Sequence, residues 1–407
     1  VYLDGLGGDT TAASSWEVAD ILNLPVVLVV DAKGASLSLA ALIKGFQVFQ
    51  GESQSSQANK NGNHIQAVIL NRISPMLYPR MKAVIEKETG VLVAGYVPEL
   101  DFWQVGSRHL GLVFPGEIEN LQEQMRQLGD CLEKTLDVDV LLKLGEKADI
   151  DVLGSVTVTA DGSSQKCEAQ KNADLVLQNQ FAGEKISHSA IPIRLGVAWD
   201  EAFCFYYRDN LEFLEKQGVQ IVQFSPVHDK HLPDDLDGLL LGGGYPELYA
   251  KALEENETIR NEIRRKAEED MPILAECGGY LYLLKELEDE NGTGYEMAGV
   301  FSGKGYKKGK NSHFGYITVQ TEKDSLYLKA GETIKGHEFH YWESTQDENE
   351  LKMQAKKPTG KRSWPCVTVK NQVMAGFPHL YYPSLEGFGE RFVQACDRYR
   401  MKRKRQQ

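Results

Sequence analysis

Positive charge is in short supply in this chain of 407 residues: 45 Lys and Arg face 58 Asp and Glu, a formal net charge of −13. That balance argues against nucleic acid and against anionic membrane surfaces as partners. No apolar run reaches membrane-spanning length, and nothing at the start has the pattern of a signal peptide. Cysteine is sparse as well. Cys131, Cys167, Cys204, Cys277, Cys366 and Cys396 form no CxxC pair or other metal spacing. This excludes a disulfide framework and fits the reduced thiols of a cytoplasmic protein. There is no internal repeat and no sustained low complexity. A G-x-x-x-x-G-K-[ST] phosphate loop is also missing, since GYKKGK at 305–310 has the wrong spacing and no hydroxyl residue after its Lys. Finally, the chain starts at Val1, inside a strand-and-turn pattern VYLDGLGG, and on that ground it is expected to be a fragment without its true N-terminus.

What is present is the composition of a globular enzyme, 42% hydrophobic and 25% charged, with length for two or more domains. Aliphatic runs at 25–30 (PVVLVV), 65–70 and 91–95 alternate with helical patterns at 37–49 and 75–88. Such alternation means βαβ units around a parallel sheet. A long helix is expected over 117–144. Periodicity is then lost over 147–192, which is rich in Ser, Lys, Gln, Asn and Asp and has the character of a linker. A second α/β pattern begins at Arg194, with strands at 195–198, 220–224, 238–241 and 273–275, and helices at 209–217 and 247–269. Strand-like pieces follow at 297–301, 314–320, 333–341, 366–370 and 373–376, and a helix over 385–399 precedes the basic tail MKRKRQQ. The expected division is 1–146, a linker at 147–192, 193–400, and a tail at 401–407.

Chemistry concentrates in the second half. Ile273, Leu274 and Ala275 make a short buried strand; Cys277, Gly278 and Gly279 then turn sharply into a helical pattern over 280–287. A strand–Cys–Gly–Gly–helix arrangement lifts a sulfur out of a sheet to a helix N-terminus, where the dipole is expected to lower the thiol pKa. The strand at 238–241 runs into Gly242, Gly243 and Gly244, whose backbone N–H groups can form an anion-binding nest. In a parallel sheet both loops sit at the carboxyl edge of the strands, where such sheets bind ligands. His379 follows another short strand and has the chemistry of a general base toward the cysteine. His337 and His340, in HEFH, lack the HExxH spacing of a zinc helix and sit on strand-like sequence, so a structural or interface role is expected of them.

Together GGGYPE, AECGG and GFPHLYYPS, in this order, resemble the class I glutamine amidotransferases over roughly 194–400. The resemblance implies Cys277 as nucleophile, His379 as base, and an oxyanion hole from the N–H groups of Gly278 and of Gly243 or Gly244. It departs at one slot: many such enzymes carry Glu two residues after the His, and here that residue is Tyr381, so the group orienting His379 stays unassigned. AFCFYY at 202–207 followed by Asn210 and Leu211, together with GHEFHY at 336–341, is similar to the cobyrinate a,c-diamide synthase family of cobalamin biosynthesis, whose branch also lacks that Glu. LDG at 3–5, VDAKG at 30–34, VILNR at 68–72 and RHLGL at 108–112 match the same family's ATP-dependent domain. That domain belongs to the P-loop-like dethiobiotin synthetase group.

The fold so implied is α/β, two doubly wound domains, the first partial because its phosphate loop would precede Val1. The cofactors implied are ATP and Mg²⁺, and the other small-molecule partners are glutamine and a corrinoid. A homodimer is an open expectation. Asp4 and His109 are expected near the transferring phosphate or the substrate, and Asn71 at the nucleotide base. The activity implied is amidation of the a and c carboxylates of cobyrinate through an acyl phosphate. Hydrogenobyrinate, a nickel sirohydrochlorin, or glutamine hydrolysis alone stand as alternatives.

Overall fold

Continuous aliphatic strands demand cover on both faces, and the first half supplies it. In a computed structural model of the protein, the described residues are 2–49, 63–103, 107–108, 111–112, 118–146, 148, 192–308, 313–346, 351–358, 360 and 362–406. The chain divides into two compact units, Val1–Lys185 and Ile186–Gln407. Most of the expected linker lies outside the described residues.

In the first unit β1 (Val26–Asp31), β2 (Ile65–Asn71) and β3 (Leu92–Val97) form a parallel sheet in the order β1-β2-β3. Ser14 caps α1 (Ser15–Ile21) by accepting the Glu17 N–H at 3.2 Å. α2 (Ser38–Val48) and α3 (Tyr78–Thr89) bring Leu39, Ile43, Met81 and Ile85 against Val30, Val68, Leu70 and Val93. Burying each such side chain contributes about 1.5–3 kcal/mol. α3 stops at Gly90, whose φ of 73° is the left-handed C-cap that glycine adopts without strain. The expected long helix is two, α4 (Leu121–Thr135) and α5 (Val138–Gly145), broken where Leu136 bridges to Gly95 of β3. Asp137 restarts the second by accepting the Val140 N–H. Its Leu144 closes the other sheet face over Ala67, Ile69 and Ala94.

The second unit is built on β4 (Ile193–Ala198), β5 (Val219–Phe224), β6 (Gly238–Leu241), β7 (Ile273–Glu276), β8 (Phe314–Gln320), β9 (Thr333–Phe339), β10 (Leu351–Lys356), β11 (Ser363–Lys370), β12 (Val373–Gly376) and β13 (His379–Leu380). They make one ten-stranded sheet, β13-β9-β8-β10-β11-β12-β7-β6-β4-β5. The five strands from β12 to β5 are parallel; beyond β12 the pairing is antiparallel. α7 (Ala250–Glu255), α8 (Glu257–Glu268) and α9 (Gly278–Leu283) cover one face. α6 (Arg208–Lys216) and α10 (Glu386–Gln406) cover the other, through Leu214, Phe388, Phe392 and Cys396.

Three expectations need correction. The helix over 247–269 is a short 3₁₀ turn followed by α7 and α8, with breaks at Tyr249 and Asn256. The helix over 280–287 ends at Leu283, and Glu286–Glu288 becomes a strand instead. The strand-like 297–301 is irregular; Gly294–Glu296 pairs there, in a small sheet with Glu286–Glu288, Lys304–Lys307 and Trp342–Ser344. Among the described residues no helix is long and apolar enough to cross a membrane.

Candidate active site

β7 is one of the parallel strands, flanked by β6 and β12, and every one of its residues is buried. Where it ends, Cys277 takes φ 49° and ψ −103°, a left-handed conformation that costs a non-glycine residue about 1–3 kcal/mol. The surroundings hold it there. Its N–H donates to Gly376 O at 2.8 Å on β12, and its carbonyl accepts the Leu281 N–H at 3.0 Å in the first turn of α9. Gly279 donates to Gly242 O at 2.9 Å, and a Cβ on Gly279 would lie 2.1 Å from Leu241 O. Only glycine lets the elbow sit this close to the next strand.

The glycine loop leaves β6 at the same edge. Gly242 donates its N–H to Tyr206 Oη at 2.9 Å, and that hydroxyl donates in turn to Ala198 O. The Tyr206 ring is stacked on Trp199 with centroids 5.1 Å apart. Gly243 faces His379: a Cβ there would stand 2.3 Å from the ring's Cε1 and 3.2 Å from Nε2. A Cβ on Gly278 would come 3.0 Å from the Gly244 nitrogen. The five residues expected to act together, Cys277, His379, Gly243, Gly244 and Gly278, are therefore gathered at one sheet edge by three adjacent parallel strands and the loops that leave them.

His379 stands on β13, paired with His337 on β9. The next residues are tied down by Asn210 of α6. Its Nδ2 donates to Leu380 O at 2.7 Å, and its Oδ1 accepts the Tyr382 N–H at 2.9 Å. Tyr381, in the slot where a glutamate was sought, turns away and donates its hydroxyl to Asp209 Oδ2 at 3.1 Å. Glu276, the acidic residue of AECGG, has no role assigned from the sequence. Its Oε1 accepts the Leu380 N–H at 3.3 Å and the Tyr382 hydroxyl at 3.0 Å, and its Oε2 lies 4.0 Å from His379 Nδ1. A carboxylate closing an otherwise apolar strand, directly before the cysteine, was the available signal.

Burial dominates the electrostatics. It raises the Cys277 thiol pKa, and the Glu247 carboxylate raises it further; the Gly278 N–H pulls the other way and is outweighed. The expected lowering by the helix N-terminus is thus overturned: α9 is only six residues long, and Cys277 is buried, 6% exposed. Burial, then His337 and His340, push His379 down to about 4, and burial pushes Glu276 up to about 8. At neutral pH the centre holds a neutral thiol beside a neutral imidazole. Such a pair can transfer a proton as the sulfur attacks, rather than keeping a standing thiolate.

His313, Glu338 and His340 also converge, with ligand atoms within 4.8 Å of one another. His340 Nδ1 lies 2.6 Å from Trp342 O, and Trp364 Nε1 donates to Glu338 at 2.9 Å. Lys308, Arg362 and Lys357 act on His313, and their charge opposes a cation there.

In the first unit Asn71 ends β2, in register with Asp31 and Val97, and its carbonyl accepts the Ala32 N–H at 2.7 Å. The same edge carries the ion pairs Asp31–Arg72 and Lys33–Glu99. Asp4 is exposed, in the loop before α1. His109 lies outside the described residues.

Residues 194–385 match the family of CobB/CobQ-like glutamine amidotransferase domains. The cobyrinate a,c-diamide synthase of Caldanaerobacter subterraneus subsp. tengcongensis is 35% identical over 396 residues, 97% of this chain and 79% of the relative. That of Streptococcus sanguinis is 36% identical over 383 residues, 93% of this chain and 75% of the relative. That of Picrophilus torridus is 33% identical over 394 residues, 97% and 78% respectively.

Proposed function

The chain belongs to the cobyrinate a,c-diamide synthase family, and from that premise we propose that it makes amides from the a and c carboxylates of cobyrinate, using ATP and the nitrogen of glutamine. The observation that carries the glutaminase half is Cys277, held at a strained helix entry against a glycine loop that also packs on His379. In this reading Cys277 Sγ bonds to the side-chain carbonyl carbon of glutamine while its proton passes to His379. The oxyanion faces the N–H groups of Gly278 and of Gly243 or Gly244. Each such donor contributes about 10²–10³ to the rate. The carbon–nitrogen bond then breaks as His379 returns the proton to the leaving nitrogen, and ammonia departs. Water hydrolyses the thioester to glutamate.

The ATP-dependent half belongs to the first domain, residues 1–146, joined by 147–192 to the glutaminase at 193–400. A carboxylate oxygen of the corrinoid takes the γ-phosphoryl group of ATP, ADP leaves, and an acyl phosphate results. Ammonia displaces the phosphate and leaves the amide. Asn71, which ends β2, is assigned to the nucleotide base. Asp4 and His109 are assigned beside the phosphate or the substrate. ATP enters as its Mg²⁺ complex, and one exposed carboxylate such as Asp4, with phosphate oxygens and water, suits that ion. When bound, Mg²⁺ spreads the charge on the transferring phosphoryl group.

The test supplies the protein with amide-labelled glutamine, ATP, Mg²⁺ and, separately, cobyrinate, hydrogenobyrinate or nickel sirohydrochlorin. Glutamate release with label in a cobyrinate diamide is expected. No glutamate release overturns the glutaminase reading, and label only in another tetrapyrrole overturns the substrate. Cys277→Ala is expected to lower glutamine use by at least about 10³-fold while sparing use of free ammonia.

A further inference from the structure

His379 has Nδ1 4.0 Å from Glu276 Oε2, which leaves Nε2 as the nitrogen to serve the cysteine, and the group beside Nδ1 then decides which nitrogen carries the resting proton. A base at Nε2 needs the proton at Nδ1, with an acceptor beside it. Tyr381 is not that acceptor, since its hydroxyl is spent on Asp209. Accepting the glutaminase reading above, we propose that Glu276 is the positioning residue for His379: its Oε2 accepts a hydrogen bond from Nδ1–H, fixes the tautomer, and balances the charge the ring gains when Cys277 is deprotonated.

Four observations support this. Glu276 ends β7 in register with Gly376 of β12, the strand that leads to His379, so carboxylate and imidazole leave neighbouring strands at one edge. Oε1 is clamped by the Leu380 N–H and the Tyr382 hydroxyl, both from the segment that carries His379; this fixes the carboxylate's rotation and turns Oε2 toward Nδ1. The side chain is buried, with the residue 9% exposed. Among the described residues, the basic group recorded in ion-pair range of it is His379, not a Lys or Arg. A carboxylate so buried without a fixed cation needs another reason to be there. The 4.0 Å separation is longer than a hydrogen bond, as befits a pair that closes when charge appears on the ring.

The proton count gives the idea a signature. In this arrangement, with facing atoms 4.0 Å apart, Glu276 and His379 would titrate as a coupled pair. With a proton on the carboxyl, Nδ1 has no acceptor in Oε2, and the imidazole is free to hold its proton at Nε2, where it cannot take another. Productive protonation therefore requires Glu276 ionised. The other titratable groups that act on this pair and on the thiol are Tyr206, Tyr207 and Tyr382 on the Glu276 side, His337 and His340 on the ring, and Glu247 and Glu338 on the sulfur. Of these, Glu338 is also pushed up to about 8, so the variant at 276 is what separates its limb from that of Glu276.

Glutaminase turnover by the wild type is expected to rise with pH through an inflection near the Glu276 value of about 8. Glu276→Gln keeps the shape and an acceptor for Leu380 and Tyr382, but points an amide donor at Nδ1 and imposes the wrong tautomer. It is expected to lower kcat about 10³–10⁴-fold, to change KM for glutamine less than about threefold, and to lose the inflection. Glu276→Asp, which restores an acceptor, is expected to recover at least about tenfold of that loss. A folded Glu276→Gln protein with kcat within about tenfold of wild type, or with an unchanged inflection, overturns the inference. Should the variant not fold, nitrogen NMR of the His379 ring in the wild type decides: a proton on Nδ1 above the inflection supports it, and a proton on Nε2 overturns it. Cys277→Ala separates the two readings. If it is inactive and Glu276→Gln is not, the positioning role alone fails; if it hydrolyses glutamine at the wild-type rate, the underlying reading falls and takes the inference with it.

Discussion

At Cys277 two demands compete: a nucleophile wants water-like stabilisation of its thiolate, and an amide substrate wants water kept out. Burial wins, and the thiol pKa goes up. Iodoacetamide is therefore expected to modify Cys277 more slowly than free cysteine at neutral pH, as read by peptide mass mapping of the alkylated protein. The cysteine and its glycines were legible because a turn that close to a sheet leaves its mark as composition. The thiol's protonation state was not, because it depends on depth and on Glu247, and depth is set by strands far away in the chain. Gly243 offers the sharper residue-level test. Gly243→Ala puts a methyl 2.3 Å from the His379 ring, which must swing aside. Glutamine hydrolysis is expected to fall at least about 10²-fold with a nearly unchanged melting temperature. Gly279→Ala meets backbone instead, at Leu241 O, and is expected to cost about 3 kcal/mol in urea unfolding.

Among the elements, alternation of aliphatic runs with helical spacing was enough to find β1–β3, the parallel strands β4–β7 and most of the helices. It failed where apolar spacing is shared by two structures. Tyr280–Leu283 and the following Leu284 are wholly buried, so their periodicity carries no face, and the switch to strand at Glu286 comes from pairing with Lys304 rather than from local preference. The break between α4 and α5 has a similar origin, in the bridge from Leu136 to Gly95. β13 is two residues long, too short for any pattern, yet it carries His379. What steadies it is Asn210, buried and bonded on both sides to Leu380 and Tyr382. Asn210→Ala leaves both partners without a bond and is expected to destabilise the protein by about 2–3 kcal/mol. It is also expected to lower kcat for glutamine, since His379, the proposed base, loses its anchor; chemical unfolding and a glutamate-release assay read the two effects separately.

For the whole molecule the buried groups dictate a pH response. His313, His340 and His379 are held down at about 4 in the fold against 6.5 unfolded, each chiefly by burial. Between those values the unfolded chain binds protons that the fold refuses, so these three favour folding more as pH rises. Glu276 and Glu338 are held up at about 8 against 4.5, again chiefly by burial. They bind protons that the unfolded chain has already shed, so their contribution falls as pH rises from 4.5 to 8. Above pH 6.5 only the two carboxyls of this set still titrate, and the urea midpoint is expected to decline from there to about pH 8. Replacing both by Gln is expected to flatten that decline; an equal decline in the double variant contradicts the assignment.

The position of β12 has a further consequence, for the order in which the protein can be made. β12 is paired on one side with β7, which leads into Cys277, and on the other with β11, yet it lies about a hundred residues after β7 in the chain. Until the ribosome has delivered it, β7 keeps one open edge, the Cys277 amide has no Gly376 carbonyl to bond, and His379 has not yet been made. A nascent or prematurely ended chain therefore releases no ammonia from glutamine, and what it displays instead is an apolar strand edge for chaperones to cover.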